Sequence, residues 1–298
     1  MNEATGAVED QGALWRRILD FPLVALIIGI AVFACIVTIG ILAQKSLPAT
    51  MPKLESTALF TALNVVLCFA GYKLVLRHLG EHPRDDLRFH GASKSLGLGL
   101  LIGFILFTAV VGVAALTGVY GIVACCSTDH LLIDLLNAGI MAAVLEELLF
   151  RGILFRWIEE FAGSWAALII TAALFGLAHR ANPNATWFSS FSIAMEAGIL
   201  LGGAYMLTRS LWLPMGLHAA WNFTQGYFFG VPVSGQPARG MVTAKLSGPV
   251  LLSGGPFGLE ASLIAVVIAT AVGCCLVWLA VKRGQLVQPW WVRAPPTV

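Results

Sequence analysis

Residues 21–43, FPLVALIIGIAVFACIVTIGILA, decide the fold class, because this stretch carries no charged side chain. A helix of about 20 apolar residues is long enough to cross the hydrocarbon core of a membrane. The stretch follows Arg16 and Arg17, exceeds the length of the apolar part of a cleavable signal, and has no obvious small-residue cleavage site. We therefore predict that it is a retained membrane anchor.

The composition of the whole chain supports the same assignment. Charged residues make up 11% of the sequence and hydrophobic residues 58%, and the mean hydropathy is +0.84. A soluble domain carries about 25% charged residues, so a water-facing surface cannot be built from this sequence. We predict an all-α, polytopic transmembrane bundle of about eight helices. The expected spans are 21–43, 57–76, 95–117, 132–158, 163–180, 187–207, 212–230 and 257–281.

The chain divides into three predicted parts. Residues 1–131 hold the anchor and transmembrane helices without a motif, residues 132–230 hold the helices with unusual polar residues, and residues 231–298 hold a non-cytoplasmic loop, the last helix and a tail. Lysines and arginines concentrate in one set of alternate connections, which predicts that both termini are cytoplasmic. The net charge of +2 and the lack of a basic run argue against nucleic acid as a partner.

The six cysteines carry no metal-site or redox spacing. All lie within or at the edge of apolar stretches, and no CxxC pattern occurs. We expect small packing residues rather than disulfides or thiolate ligands. The cysteines are Cys35, Cys68, Cys125, Cys126, Cys274 and Cys275.

The string VLEELLFRGILF, residues 144–155, puts three ionisable side chains at membrane depth, where each costs at least about 2.5 kcal/mol. Glu147 and Arg151 are one helical turn apart and can form an ion pair within their own helix. Glu146 points about 100° away and has no local cation, so its partner must be another helix or trapped water. Taken alone, the string fits a buried salt bridge with a spectator acid equally well.

Two further strings add imidazoles. In ALFGLAHRANPN, Phe175 lies one turn before His179, and in PMGLHAAWNF, Asn222 lies one turn after His218. Each alone would fit a helix-capping histidine or an interhelical hydrogen bond. Together with Glu146, they favour water activation or metal binding.

Glu196 is another acid in a predicted span, and no motif includes it. We expect it to pair with Lys73 or Arg209, or to be a third polar group in the cavity.

The ordered motifs EExxxR, FxxxH and HxxxN resemble those of the CAAX prenyl protease and bacteriocin-processing (CPBP, lysostaphin-resistance-like) family of intramembrane endopeptidases. The resemblance covers about residues 132–230. It implies that Glu146 is the general base for a water also held by His179, and that His218 and Asn222 stabilise the oxyanion. Supporting roles are implied for Glu147, Arg151 and Phe175. It also implies a membrane-associated protein or peptide substrate, the lipid bilayer as a partner, and a bacterial cell membrane as the location.

A zinc ion is an alternative at the same residues. Two histidines and a glutamate can form a catalytic zinc site with one open position, and Glu146, His179 and His218 would be its ligands. No HExxH string occurs, so these ligands would have to converge from three helices. We favour a mechanism without a cofactor.

Two other classes of function remain open from the sequence. A non-proteolytic immunity or scaffold protein would keep the fold and bind a partner. A proton-coupled transporter would also explain acids and histidines in a membrane, but the sequence shows no internal repeat.

Overall fold

The computed structural model describes residues 15–80 and 84–293, and within them the protein is an all-α polytopic membrane protein, as predicted. Six helical runs are long and apolar enough to cross a membrane. They are α1 (Pro22–Lys45), α2 (Lys53–His78), α3 (Ala92–Leu116), the run Leu131–Ala181, α6 (Trp187–Thr208) and α8 (Leu263–Lys282). Large apolar side chains such as Ile27, Leu59 and Val267 remain exposed on these helices, as a lipid-facing surface requires.

The run Leu131–Ala181 is a hairpin of two helices. Its 51 residues are interrupted at Gly163, whose φ of 83° and ψ of 167° are not helical and are readily adopted only by glycine. The two arms are α4 (131–162) and α5 (164–181). A straight helix would hold residues 146 and 179 about 50 Å apart, yet Glu146 Oε2 lies 3.9 Å from His179 Nε2. The chain therefore folds back at Gly163, which agrees with the predicted break between spans 132–158 and 163–180.

The number of long runs differs from the predicted eight for two reasons. The fourth and fifth predicted spans form the single run Leu131–Ala181. The seventh predicted span is a shorter helix, α7 (Trp212–Phe223), which continues as a π-helical turn, Thr224–Phe228. Glycines let α7 approach α3 closely, since a Cβ on Gly103 would lie 2.4 Å from a backbone oxygen of α7.

A small antiparallel ribbon lies outside the helices. Strand β1 (Tyr120–Cys125) pairs with strand β2 (Val242–Leu246), with Tyr120 opposite Leu246. The sequence analysis predicted no strand here, because β2 lies in a Gly-, Pro- and Ser-rich stretch that gives little periodic signal. The ribbon joins the segment after α3 to the segment before α8. Short helices or 3₁₀ turns at Val250–Ser253, Gly255–Phe257 and Leu259–Ala261 complete that connection.

Widened π-helical turns interrupt the helices where they carry polar residues. In the described part of the chain, they are Leu135–Met141 and Leu148–Phe155 in α4, Ala194–Gly198 in α6, and Thr224–Phe228 after α7. Such turns occur frequently at functional sites. The first two bracket Glu146 and Glu147, which lie in the regular turn between them.

Buried charges gather at the hinge end of the hairpin. We call this set the hinge cluster, and it consists of Arg84, Asp86, Arg156, Glu159, Glu160 and Arg209. Glu159 accepts from Arg209, and Arg84 Nη2 lies 3.8 Å from the same carboxylate. Ser164 Oγ, just after Gly163, donates to Glu159 over 2.5 Å. The cluster thus holds the two arms together beside the turn.

Candidate active site

Glu147 is the centre of a buried polar network. Arg151 Nη1 donates to Glu147 Oε1 over 2.9 Å, so the predicted intrahelical ion pair is present, and both side chains are almost fully buried. His218 Nδ1 lies 2.8 Å from the same oxygen. A carboxylate can only accept, so His218 carries a proton on Nδ1 and its Nε2 is directed elsewhere. Arg151 Nη2 also donates to Ala197 O over 3.1 Å, which ties α4 to α6.

His179 is oriented by its own helix. Its Nδ1 lies 2.8 Å from Phe175 O, one turn earlier. A carbonyl oxygen also only accepts, so this Nδ1 carries the proton and Nε2 is free. The Phe175 ring packs beside both imidazoles, with centroid distances of 4.7 Å to His179 and 6.2 Å to His218. Phe175 therefore fixes both rings through packing.

Glu146 faces the free nitrogen of each histidine. Its Oε2 lies 3.9 Å from His179 Nε2 and 4.0 Å from His218 Nε2. That oxygen is buried and has no hydrogen-bond partner within the described residues, although the side chain as a whole is 33% exposed. A water oxygen about 2.8 Å from both Glu146 Oε2 and the Nε2 of one of the histidines would see these two atoms at an angle of about 90°. That angle is acceptable for two hydrogen bonds to one water. The structure thus brings Glu146, His179 and His218 together around one water-sized position.

The same three residues have the right chemistry for zinc but not the spacing. Nitrogen and oxygen ligands about 2.0–2.1 Å from a tetrahedral zinc lie about 3.3–3.4 Å from each other. The two measured separations, 3.9 and 4.0 Å, are longer. Within residues 15–80 and 84–293, no group of three or more His, Cys, Asp or Glu side chains is arranged to hold a metal ion.

Asn222 lies on the same face of α7 as His218, at the edge of the site. Its Nδ2 donates to Ala138 O over 3.2 Å, which ties α7 to the first π-helical turn of α4. An amide nitrogen has two N–H donors, and this bond uses one of them. Asn222 is 8% exposed and borders both spaces at the site.

Two connected spaces meet at these residues. An open cleft with a water-accessible volume of about 380 Å³ is bordered by Glu146, His179, Asn222 and residues of the segment 233–238. Behind it lies a narrower cavity with a water-accessible volume of about 30 Å³, which is bordered by His179, His218 and Asn222. About 10–15 Å³ accommodates one water, so the inner cavity has room for about two. The site is therefore reachable from outside, and its inner part has room for water.

Glu196 does not make the ion pair that we expected. Lys73 pairs with Asp85 at 2.6 Å, and Arg209 pairs with Glu159 in the hinge cluster. Asp85 and Glu159 therefore already neutralise the two cations that were expected to pair with Glu196. Glu196 instead borders the inner cavity, the other expected position, and its Oε2 has no hydrogen-bond partner in the described part of the chain.

Glu260 is a site residue that the sequence analysis missed. It lies in the 3₁₀ turn before α8, is 2% exposed, and borders the inner cavity with Glu196. Burial raises the pKa of its carboxyl to about 8. In the sequence it stands at the start of a predicted span, where an acid is ordinarily interfacial. The signal that could have identified it is that no Lys or Arg follows it within one helical turn.

The expectation of no disulfides was wrong for one pair. The sulfurs of Cys125 and Cys126 are bonded to each other at the end of β1. The sequence predicts packing residues at these two positions, because the spacing of adjacent cysteines gives no sign of a bond between them. Cys35, Cys68, Cys274 and Cys275 are free, as expected.

Comparison with known proteins agrees with the geometry of the site. Residues 128–224 match the model of the Rce1-like family, described as type II CAAX prenyl endopeptidase. The family resemblance predicted from the motifs is confirmed. All residues of the three motifs fall inside the Rce1-like region.

A similarity to one curated protein extends beyond that region. Over 223 residues, the chain is 24% identical to the Bacillus subtilis (strain 168) protein named "Putative membrane peptidase YdiL". The match covers 70% of this chain and 85% of the relative. No solved structure matches the chain significantly.

Proposed function

We propose that this protein is a membrane-embedded endopeptidase that hydrolyses peptide bonds of membrane-associated proteins or peptides. The observation that carries the proposal is the convergence of Glu146 Oε2 with the free Nε2 atoms of His179 and His218 at a hydrated cleft. The Rce1-like region and the similarity to a membrane peptidase support the same reaction class.

In the proposed reaction, Glu146 and His179 hold the attacking water. The water donates one proton to the Glu146 carboxylate and the other to His179 Nε2, which leaves an oxygen lone pair for the substrate. As that oxygen bonds to the scissile carbonyl carbon, Glu146 takes the proton and later delivers it to the leaving amine nitrogen.

His218 and Asn222 would stabilise the oxyanion that forms in this step. The Glu147 carboxylate on His218 Nδ1 favours the protonated imidazole, whose Nε2–H can donate to the negative oxygen. Asn222 has one N–H donor that is not used by Ala138. Fixed donors in a site that excludes bulk water contribute most to this kind of catalysis. Glu147 thus orients His218 and favours its protonated form, in addition to forming the ion pair with Arg151.

The location that we propose is a bacterial cell membrane with both chain termini on the cytoplasmic side. The distribution of lysine and arginine supports this orientation. The substrate is proposed only as a class, since no feature of the cleft selects a prenyl group.

The test compares membrane peptides from cells that express the wild-type protein with those from cells that express Glu146→Gln at the same level. We expect peptides with new termini in the wild-type sample only, since the amide cannot accept the proton. Equal peptide profiles, with both proteins inserted, would contradict the peptidase proposal and favour a scaffold or immunity protein. Purified protein and a synthetic form of an identified peptide would then give kcat and KM.

A further inference from the structure

Residues 231–240 form one wall of the cleft, opposite the catalytic residues. This segment connects the π-helical turn after α7 to β2. Val233, Ser234, Gln236, Pro237 and Ala238 border the cleft that also contains Glu146 and His179. Whatever binds in the cleft must therefore contact this wall.

The first half of the wall is anchored to the helical bundle through its backbone. Gln225 Nε2 donates to Pro232 O over 2.5 Å, and Gly235 N donates to Phe257 O over 2.9 Å. Gly235 has φ +79°, and a Cβ there would lie 1.9 Å from Pro183 O, so only glycine fits this contact. The backbone groups of this half already have partners.

Glu260 supplies a second buried side-chain anchor. Its Oε1 accepts a hydrogen bond from Ser234 N, whose residue has a φ of 49°. A non-glycine residue in this left-handed conformation is unfavourable unless surrounding contacts hold it. Without the acceptor, the Ser234 N–H would lose its partner, and the wall would lose the contact that fixes this turn.

The second half of the wall has free donors. In the part of the chain that the structure describes, the backbone N–H groups of Ala238, Arg239 and Gly240 donate no hydrogen bond. These residues also border a groove that continues along β2 to Ala244. Pro237 and Ala238 border both the groove and the cleft, so the two spaces adjoin each other along this segment.

We propose that residues 237–240 bind the main chain of the substrate in an extended conformation, with Glu260 holding this wall in position. The inference rests on the proposed function. An extended peptide presents every second carbonyl oxygen on one side, and free backbone N–H groups two positions apart, such as those of Ala238 and Gly240, can bind them whatever the side chains. The groove then leads the peptide towards Glu146. Glu260 is a positioning residue, because it touches the wall and not the reacting atoms.

The first experiment removes one free donor. Ala238→Pro deletes the N–H at this position, and Ala238→Val, the matched control, keeps it. The probe is the synthetic peptide identified by the membrane-peptide comparison, labelled with a fluorophore and a quencher. We expect Ala238→Pro to raise KM about fivefold, the effect of losing about one hydrogen bond, with little change in kcat. Ala238→Val keeps the N–H and measures what a larger side chain alone does at this position, so its rise in KM should be clearly smaller than that of Ala238→Pro.

Binding to inactive protein separates recognition from chemistry. In the Glu146→Gln background, the dissociation constant of the labelled probe should rise by the same factor on adding Ala238→Pro. An unchanged dissociation constant would overturn the inference even if turnover changed.

The second experiment tests the anchor. Glu260→Gln keeps a neutral acceptor for Ser234 N and should behave like the wild type, whereas Glu260→Leu removes the acceptor and should raise KM about tenfold. Glu196→Gln replaces another carboxyl that borders the same cavity without touching Ser234, so it controls for a general disturbance of the cavity. If Glu260→Leu does not fold, Gly235→Ala, which displaces the same wall, takes its place with the same expected rise in KM.

The outcomes separate the two proposals. If no variant cleaves the probe, including the wild type, the proposed function fails and this inference fails with it. If the wild type cleaves and both Ala238→Pro and Glu260→Leu keep the wild-type KM, the inference alone is wrong. A rise in KM that Glu196→Gln reproduces would also contradict it, because a disturbance of the cavity and not the loss of the wall's anchor would be the cause.

Discussion

Both ends of the α4–α5 hairpin bury acidic side chains, but the two ends differ in the cations that lie beside these acids. At the hinge end, Glu159 accepts from Arg209 and lies beside Arg84, so each acid has cations as neighbours. At the other end, about 20 Å away along α4, Glu147 has Arg151 but Glu146 has only the free nitrogens of two histidines. A buried charge alone therefore does not mark a functional site. The functional end is the one that leaves an acceptor unpaired beside a cleft.

The largest effect is expected at the open end. Glu146→Gln should lower kcat about 10²- to 10⁴-fold, the usual contribution of a general base. The thermal unfolding midpoint should stay close to that of the wild type, since Glu146 Oε2 has no hydrogen-bond partner among the described residues that the amide would lose. Kinetics and unfolding of the purified protein in detergent measure both. If Glu146→Gln lowered stability but kept the turnover per folded molecule, Glu146 would behave as a structural acid, which contradicts the difference between the two ends.

The hinge end should respond in the opposite way. Glu159→Gln leaves Arg209 without its carboxylate in a buried position, so we expect the free energy of unfolding to fall by about 3–5 kcal/mol. The kcat of the folded fraction should remain near the wild-type value. Asp20→Asn is the matched control, because it breaks the exposed Arg16–Asp20 pair and should cost less than about 1 kcal/mol. Equal losses for both variants would show that the hinge cluster does not stabilise the fold.

The turn between the two ends should show a smaller, mixed effect. Gly163→Ala forces a side chain into a backbone conformation that is available almost only to glycine, at a cost of about 1–3 kcal/mol. Turnover should fall in part, because the approach of Glu146 to His179 depends on the fold-back at this residue. Gly112→Ala in α3, where a Cβ meets nothing within 4 Å, should leave stability and turnover unchanged. Identical behaviour of the two variants would contradict the role of the turn.

Chelation should have the smallest effect of all. The spacing of Glu146, His179 and His218 suits a shared water better than a shared ion, so treatment with a zinc chelator should change kcat less than about twofold. Metal content and activity are measured before chelation, after it and after zinc is added back. Loss of activity that zinc restores would contradict the metal-free mechanism.

Local sequence spacing was sufficient to predict part of this arrangement. The ion pair of Glu147 and Arg151 follows from helical geometry alone, and so does the lack of a cation near Glu146. The break near Gly163 was visible as the end of one apolar span and the start of another. These features depend on residues within a few helical turns, which is the range over which a single sequence is informative.

The contacts that complete the site join distant parts of the chain. Glu147 and His218 are 71 positions apart, and nothing in either motif indicates that they share a hydrogen bond. Glu260 reaches Ser234 only because α8 packs against the bundle at that point. The β1–β2 ribbon likewise pairs β1 with a strand in a Gly-, Pro- and Ser-rich stretch whose composition predicts a loop. Such contacts depend on packing between helices, which no local pattern encodes.

The most direct measurement is an electron cryo-microscopy map of the purified protein at a resolution that shows ordered water. The account predicts one water within about 3.2 Å of both Glu146 Oε2 and His179 Nε2, with His218 Nε2 4.0 Å from the same carboxylate oxygen. An ion about 2.0–2.1 Å from Glu146, His179 and His218 would contradict it. So would side chains too far apart to share one solvent molecule.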